Sequence, residues 1–127
     1  MKEPVRIESA PKPKGPYSQG WRAGDFVYTA GQGATDPATG EYPGPDTTSQ
    51  THQVLKNIET ILGAAGAKMG DVIKINAFLA DIRDFDAFNA AYRQHFAEPY
   101  PSRTTVGAQL SHGLKVEIEA IAYVGPR

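Results

Sequence analysis

PSRTTVGAQLSHGLKVEIEAIA, residues Pro101 to Ala122, reads as two strands joined by a turn. Pro101 cannot donate to a β-ladder, so it marks the start of an element rather than its middle. Arg103 stands at the mouth of the β-branched run Thr104-Thr105-Val106, which suits a strand. Ser111, His112 and Gly113 are turn-formers. Val116 to Ala120 then alternate apolar and acidic, which sends Val116 and Ile118 one way and Glu117 and Glu119 the other. If the two strands pair as a hairpin, Arg103 and one glutamate border the same pocket, an anion clamp beside a general base. The bland alternative is an arginine at a strand start and glutamates on the wet side of a ribbon, as most charges merely solvate.

Upstream, Val5 to Ser9 is a short strand candidate. Ala10 to Pro16 holds three prolines and a glycine in seven residues, which forbids regular structure. Tyr17 follows, either as a ring plugging the sheet edge or as a ligand contact. Trp21 to Ala30 reads as a hairpin turning at Gly24-Asp25, and Gly31-Gln32-Gly33 closes its second strand. Turn chemistry at Asp36-Pro37 and Pro43-Gly44-Pro45 gives a long surface excursion. A helix is expected from the capping-box pattern Thr47-x-x-Gln50. It carries Val54, Leu55, Ile58, Ile61, Leu62 and Ala65 at a 3.6-residue period and ends at Gly66. Gln50, Asn57 and Glu59 read as its polar surface. Asp71 to Ala80 reads as a strand with Ile73, Ile75, Ala77 and Leu79 on one face. A second helix carries Phe85, Phe88, Ala91, Tyr92 and Phe96 on one stripe, with Asn89 off its centre, and stops before Pro99. Gly125-Pro126-Arg127 reads as a frayed tail.

The order is strand-strand-strand, helix, strand, helix, strand-strand. Two helices with one-sided stripes on the same face of a mixed sheet make a two-layer α+β fold, expected as a single domain over residues 1–127. The far face would keep Phe26, Tyr28, Phe78 and a Val116/Ile118 row, an association surface that predicts a homo-oligomer.

Composition narrows the chemistry. The net charge of −1, without a basic run, does not suggest a nucleic-acid partner, and no membrane-spanning or signal-like apolar run is present. The expectation is a soluble, cytoplasmic protein. The absence of cysteine removes disulfides, thiolate ligands and thiol nucleophiles. His52, His95 and His112 occur at unrelated positions, so no metal site is expected. No nucleophile elbow, phosphate loop or other cofactor motif occurs.

Five stretches then stand together in order: GPYSQG (Gly15 to Gly20), TAGQ (Thr29 to Gln32), DFDAFNAAYRQHF (Asp84 to Phe96), PSRTTV (Pro101 to Val106) and VEIEAIA (Val116 to Ala122). In this spacing they resemble the RidA/YjgF family of reactive-intermediate (enamine/imine) deaminases, over about Ile7 to Val124. The resemblance implies a chorismate-mutase-like fold and a homotrimer whose sheets pack into a central β-barrel, with small pockets between adjacent subunits. It implies cofactor-free hydrolysis of 2-enamino or 2-imino carboxylates to 2-keto acids and ammonia, as by a 2-iminobutanoate/2-iminopropanoate deaminase. Arg103 matches the arginine that grips the substrate carboxylate, and Glu117 the acid/base that orients or activates water. Glu119 matches a second, less direct glutamate. Tyr17, Gly31 (through its N–H), Asn89 and Thr105 match pocket-lining positions, Thr105 standing where several members carry cysteine. The segments flanking Arg103 are shorter than in the best-known members, which bears on pocket size. Two other readings stay open: a non-catalytic keto-acid-binding or chaperone-like trimer, and a pathway-specific deaminase of a larger unsaturated amino acid.

Overall fold

The computed structural model describes residues 1–125; of the expected tail, Pro126 and Arg127 lie outside the described residues. Six strands form one mixed sheet: β1 (Lys2–Val5), β2 (Gly20–Ala23), β3 (Phe26–Thr29), β4 (Val72–Leu79), β5 (Ser102–Gly107) and β6 (Val116–Tyr123), in the spatial order β1-β2-β3-β6-β4-β5. Only β4 and β5 run parallel. Two helices, α1 (Thr47–Ala64) and α2 (Phe85–Tyr92), make the second layer of this α+β structure. The element order is the one the periodicities predict.

The pairing of the last two strands is not. β5 and β6 do not form a hairpin, because β4 lies between them. A helix joins β4 to β5, and such a crossover returns the chain parallel to the strand it left. The segment after β5 then straddles the end of β4: Ala108 N–H donates to Leu79 O at 2.9 Å, and Ala80 N–H donates to Lys115 O at 3.0 Å. The turn at Ser111–Gly113 exists, but it steps over a strand.

The first strand also differs from expectation, running Lys2–Val5 instead of Val5 to Ser9. Residues beyond it are captured by the buried Gln19 amide. Gln19 accepts from Ile7 N–H at 2.8 Å and donates to the Ile7, Ala10 and Pro11 carbonyls at 3.1, 3.3 and 3.0 Å. The β2–β3 hairpin forms as read, Ala23 pairing with Phe26 around Gly24, whose φ of +57° suits glycine.

The core joins Val54, Leu55, Ile58 and Leu62 of α1 to Val27, Ile75, Leu79, Phe88, Val116 and Ile118. Val116 and Ile118 therefore face the helices, not the open face. In β4, a register shift between Val72 and Lys74 buries Val72 and exposes Ile73, contrary to the simple alternation. The open face carries Glu117 and Glu119 together with exposed Trp21, Phe26, Tyr28 and Tyr123. Phe26 and Tyr123 meet at a tilt of 57° with ring centroids 5.2 Å apart.

Helix α1 is capped by Asp46 rather than by Thr47. The Asp46 carboxylate accepts the Ser49 N–H at 2.8 Å, while Thr47 Oγ1 donates to Asp84 Oδ2 at 2.8 Å beside the start of α2. Its other end closes as expected at Gly66 (φ +86°), with Ala67 N–H donating to Leu62 O and Gly66 N–H to Gly63 O. Glu59 is solvent-exposed, but Gln50 and Asn57 are fully buried. Asn57 donates to Gly33 O and Thr35 O at 3.1 and 2.9 Å. Gln50 donates to Gly44 O at 3.0 Å and accepts from Lys115 N–H at 2.8 Å. Both are buried because an amide can satisfy loop carbonyls and N–H groups that would otherwise be stranded.

Candidate active site

β5 points Arg103 toward α2, since its register partner on β4 is the buried Ile75. Arg103 Nη2 donates to Asn89 Oδ1 at 2.6 Å. The guanidinium carbon lies 4.7 Å from the Tyr92 ring centroid, 5.1 Å from that of Phe88 and 5.6 Å from that of Phe85. Phe85, Phe88, Asn89 and Tyr92 fall at helical i, i+3, i+4 and i+7, so one face of α2 supplies both the hydrogen bond and an aromatic floor. Among the described residues the single ion pair, Arg83 with Asp81, lies elsewhere. Arg103 is thus a half-buried cation with no counter-charge, opening on a cavity of about 290 Å³ lined by Asn89, Tyr92, Arg93, Tyr100, Pro101 and Arg103. Such a fork is ready for a carboxylate. Burial pushes the Tyr92 hydroxyl up to about 12, opposed by the charge and the close approach of Arg103. Thr105, on the same face of β5 opposite Ala77, buries an unpartnered Oγ1.

The second group of residues gathers around Glu117. Its carboxyl lies directly over Gly31, where an added Cβ would stand 2.5 Å from Oε2, so a side chain there would push the carboxyl aside. Burial, and then the neighbouring Glu119 charge, raise the Glu117 pKa above the ordinary glutamate range. Glu119 instead accepts from Asn76 Nδ2 at 3.1 Å. Tyr17, Gly31, Tyr42, His112 and Glu117 line a cavity of about 120 Å³. Tyr42 Oη donates to His112 O at 2.8 Å, and His112 holds φ +59° in the left-handed region. Gln32 fixes the Gly31 loop to β6 by exchanging backbone hydrogen bonds with Ile118.

Of the residues named from sequence, Arg103, Asn89 and Thr105 therefore meet on the helix side of β5. Tyr17, Gly31 and Glu117 meet in the second cavity. Within one chain the two groups do not share a pocket, because β4 separates β5 from β6. The register also puts Arg103 opposite the core residue Ile75, while Glu117 pairs with Phe78 on the other phase. Glu119 does not line either cavity. A larger cavity of about 530 Å³, between β1 and the end of α1, contains none of these residues. Arg93 and Tyr42 carry no expectation from sequence, while Tyr92 reads there only as part of an apolar stripe and His112 only as a turn-former without a metal. For Tyr92 a signal existed, its position three residues after Asn89 on one helix face. The histidines are not unrelated either: His52 Nδ1 and His95 Nε2 lie 2.8 Å apart.

The family described as endoribonuclease L-PSP matches residues 7–124. A RutC family protein of Pyrococcus horikoshii is 48% identical over 124 residues, covering 97% of this chain and 98% of its own length. The 2-iminobutanoate/2-iminopropanoate deaminase of Escherichia coli is 41% identical over 126 residues, covering 96% and 98%. Among solved structures, RidA from an Antarctic Psychrobacter superposes with a TM-score of 0.92 at 38% identity, over 96% of this chain and 99% of that one. The chain belongs to the RidA/YjgF family, whose members include imine deaminases.

Proposed function

We propose that the chain catalyses the cofactor-free hydrolysis of 2-imino carboxylates, and of their 2-enamino tautomers, to 2-keto acids and ammonia. The observation that carries this reading is the Arg103 guanidinium, fixed by Asn89 and three aromatic rings and lacking any acidic partner. It holds the substrate carboxylate and so fixes the imine carbon. Water adds to that carbon, its oxygen becoming the keto oxygen while both its hydrogens leave with nitrogen as ammonia. Glu117, with a carboxyl pKa raised by burial, accepts and returns the proton that moves between water and nitrogen. Tyr17 and the Gly31 N–H shape the Glu117 side of the pocket, Glu119 acts on Glu117 through its charge, and Thr105 backs Arg103 from the same face of β5. The deaminase named among the relatives supports the same chemistry.

One chain holds the clamp and the acid/base in separate cavities, so the reading requires association. A homotrimer, with open sheet faces packed into a central barrel, brings Arg103 of one copy toward Glu117 of the next. The exposed Phe26, Tyr28 and Tyr123 supply the apolar surface for it.

Coupling purified protein to threonine dehydratase and following imine loss tests the activity. Wild type should speed release of the keto acid. Arg103→Ala should lose about 100-fold or more in kcat/KM, with Arg103→Lys only partly restored, because an ammonium lacks the planar fork. No acceleration by wild type would rule the reading out.

A further inference from the structure

We infer that the clamp side of this site selects a 2-imino dicarboxylate, its second carboxylate held by Arg93. The inference rests on the imine-hydrolase reading for the reaction but not for the recognition.

Arg93 follows Tyr92 at the end of α2, in a 3-10 turn over Arg93–His95, and it lines the same cavity as Arg103. It is exposed, and among the described residues it makes no hydrogen bond or ion pair through its side chain. Within one chain the cavity is therefore bordered by two guanidinium-bearing residues and by no aspartate or glutamate, with Asn89, Tyr92, Tyr100 and Pro101 completing it. A monocarboxylate neutralises one of these cations and leaves the other facing the ligand's apolar end. A dicarboxylate satisfies both, and each guanidinium presents a fork that fits a carboxylate. The space agrees: about 290 Å³ falls just short of the range typical of pockets for drug-sized ligands, roughly 300–1,000 Å³, as suits a small dicarboxylate. A three-carbon imino acid does not need that room. Hydrolysis leaves the distal carboxylate untouched, so the product is a 2-keto dicarboxylate and ammonia.

The test uses stable keto acids as probes: calorimetric titration of the purified protein with 2-oxoglutarate and with 2-oxobutanoate. Wild type should bind 2-oxoglutarate about tenfold more tightly, the scale of one charge-assisted pair inside a cavity. Arg93→Ala should collapse that preference to within about twofold, and Arg93→Lys should keep much of it, because it keeps the charge. Equal binding of the two acids by wild type, a preference untouched by Arg93→Ala, or no measurable binding of either acid would each overturn the inference. Imine hydrolysis measured on the same preparations separates the two readings. Hydrolysis without a dicarboxylate preference leaves the deaminase standing and removes this inference; the preference without hydrolysis does the reverse.

Discussion

Burial and the neighbouring Glu119 charge hold the Glu117 carboxyl above the ordinary glutamate range, so the folded chain binds this proton more tightly than the unfolded chain does. Between the unfolded value, about 4.3, and the raised folded value, the folded state carries more protons. Its stability therefore falls as pH rises through that window and stays lower above it. Glu117→Gln removes the charge and nearly keeps the shape. At pH 8 the variant should unfold at a higher temperature than wild type, with the gap closing as both are taken to pH 4. Its imine-hydrolase rate should fall by about 100-fold or more. Thermal melts at the two pH values, with turnover on the same protein, check this; a variant less stable than wild type at pH 8 would mean the carboxylate is structural. At this scale the sequence was legible where a residue type stands out in its setting, as with an arginine at the mouth of the uncharged β-branched run Thr104-Thr105-Val106. It was weak for Tyr92, whose place on an apolar stripe reads as core even though it falls on the same helix face as Asn89. Nor did it reveal why position 31 is glycine, since the carboxyl above it belongs to a residue 86 positions away (117 − 31).

At the scale of elements, α1 works through side chains that look like its surface. Gln50, Val54, Asn57 and Ile61 fall on one phase of the helix, so the period itself places both amides inward; their polarity is what misled. Asn57 is the only side chain donating to the Gly33 and Thr35 carbonyls among the described residues, and it thereby holds the loop that ends at the Gly31 cavity. Asn57→Ala strands two carbonyls and should cost about 1–3 kcal/mol in denaturant unfolding. Glu59→Ala, on the exposed side of the same helix, should stay within about 0.5 kcal/mol of wild type. Equal effects of the two would show that the loop does not depend on the amide. The helices, the β2–β3 hairpin and the Gly66 stop were readable because each is specified within a few residues. The neighbour of β6 was not, because strand pairing is set by which β-partner the α2 crossover has already placed, and alternation carries no record of that. The register shift in β4 escaped for a related reason, since one extra residue inverts the faces without changing composition.

At the scale of the whole molecule, the proposed site makes a demand that no single chain meets, because Arg103 and Glu117 lie on different strands and open onto different cavities. If copies associate head to tail in a closed ring, each interface joins the Arg103 side of one copy to the Glu117 side of the next. Arg103→Ala and Glu117→Gln should each be inactive as pure assemblies. Co-expressed in equal amounts and mixed at random, half the copies keep the arginine and half keep the glutamate. About one interface in four then pairs an intact Arg103 with an intact Glu117, and activity should return to roughly a quarter of wild type. Native mass spectrometry on the same sample establishes that mixed assemblies formed. Mixed assemblies as inactive as their parents would place both residues' work within one chain, against the separation that β4 imposes. Recovery near a quarter establishes that Arg103 of one copy works with Glu117 of another. A two-fold interface in which Arg103 of each copy faces Glu117 of the other gives the same quarter, so the mass of the assembly, three copies or two, decides between ring and pair.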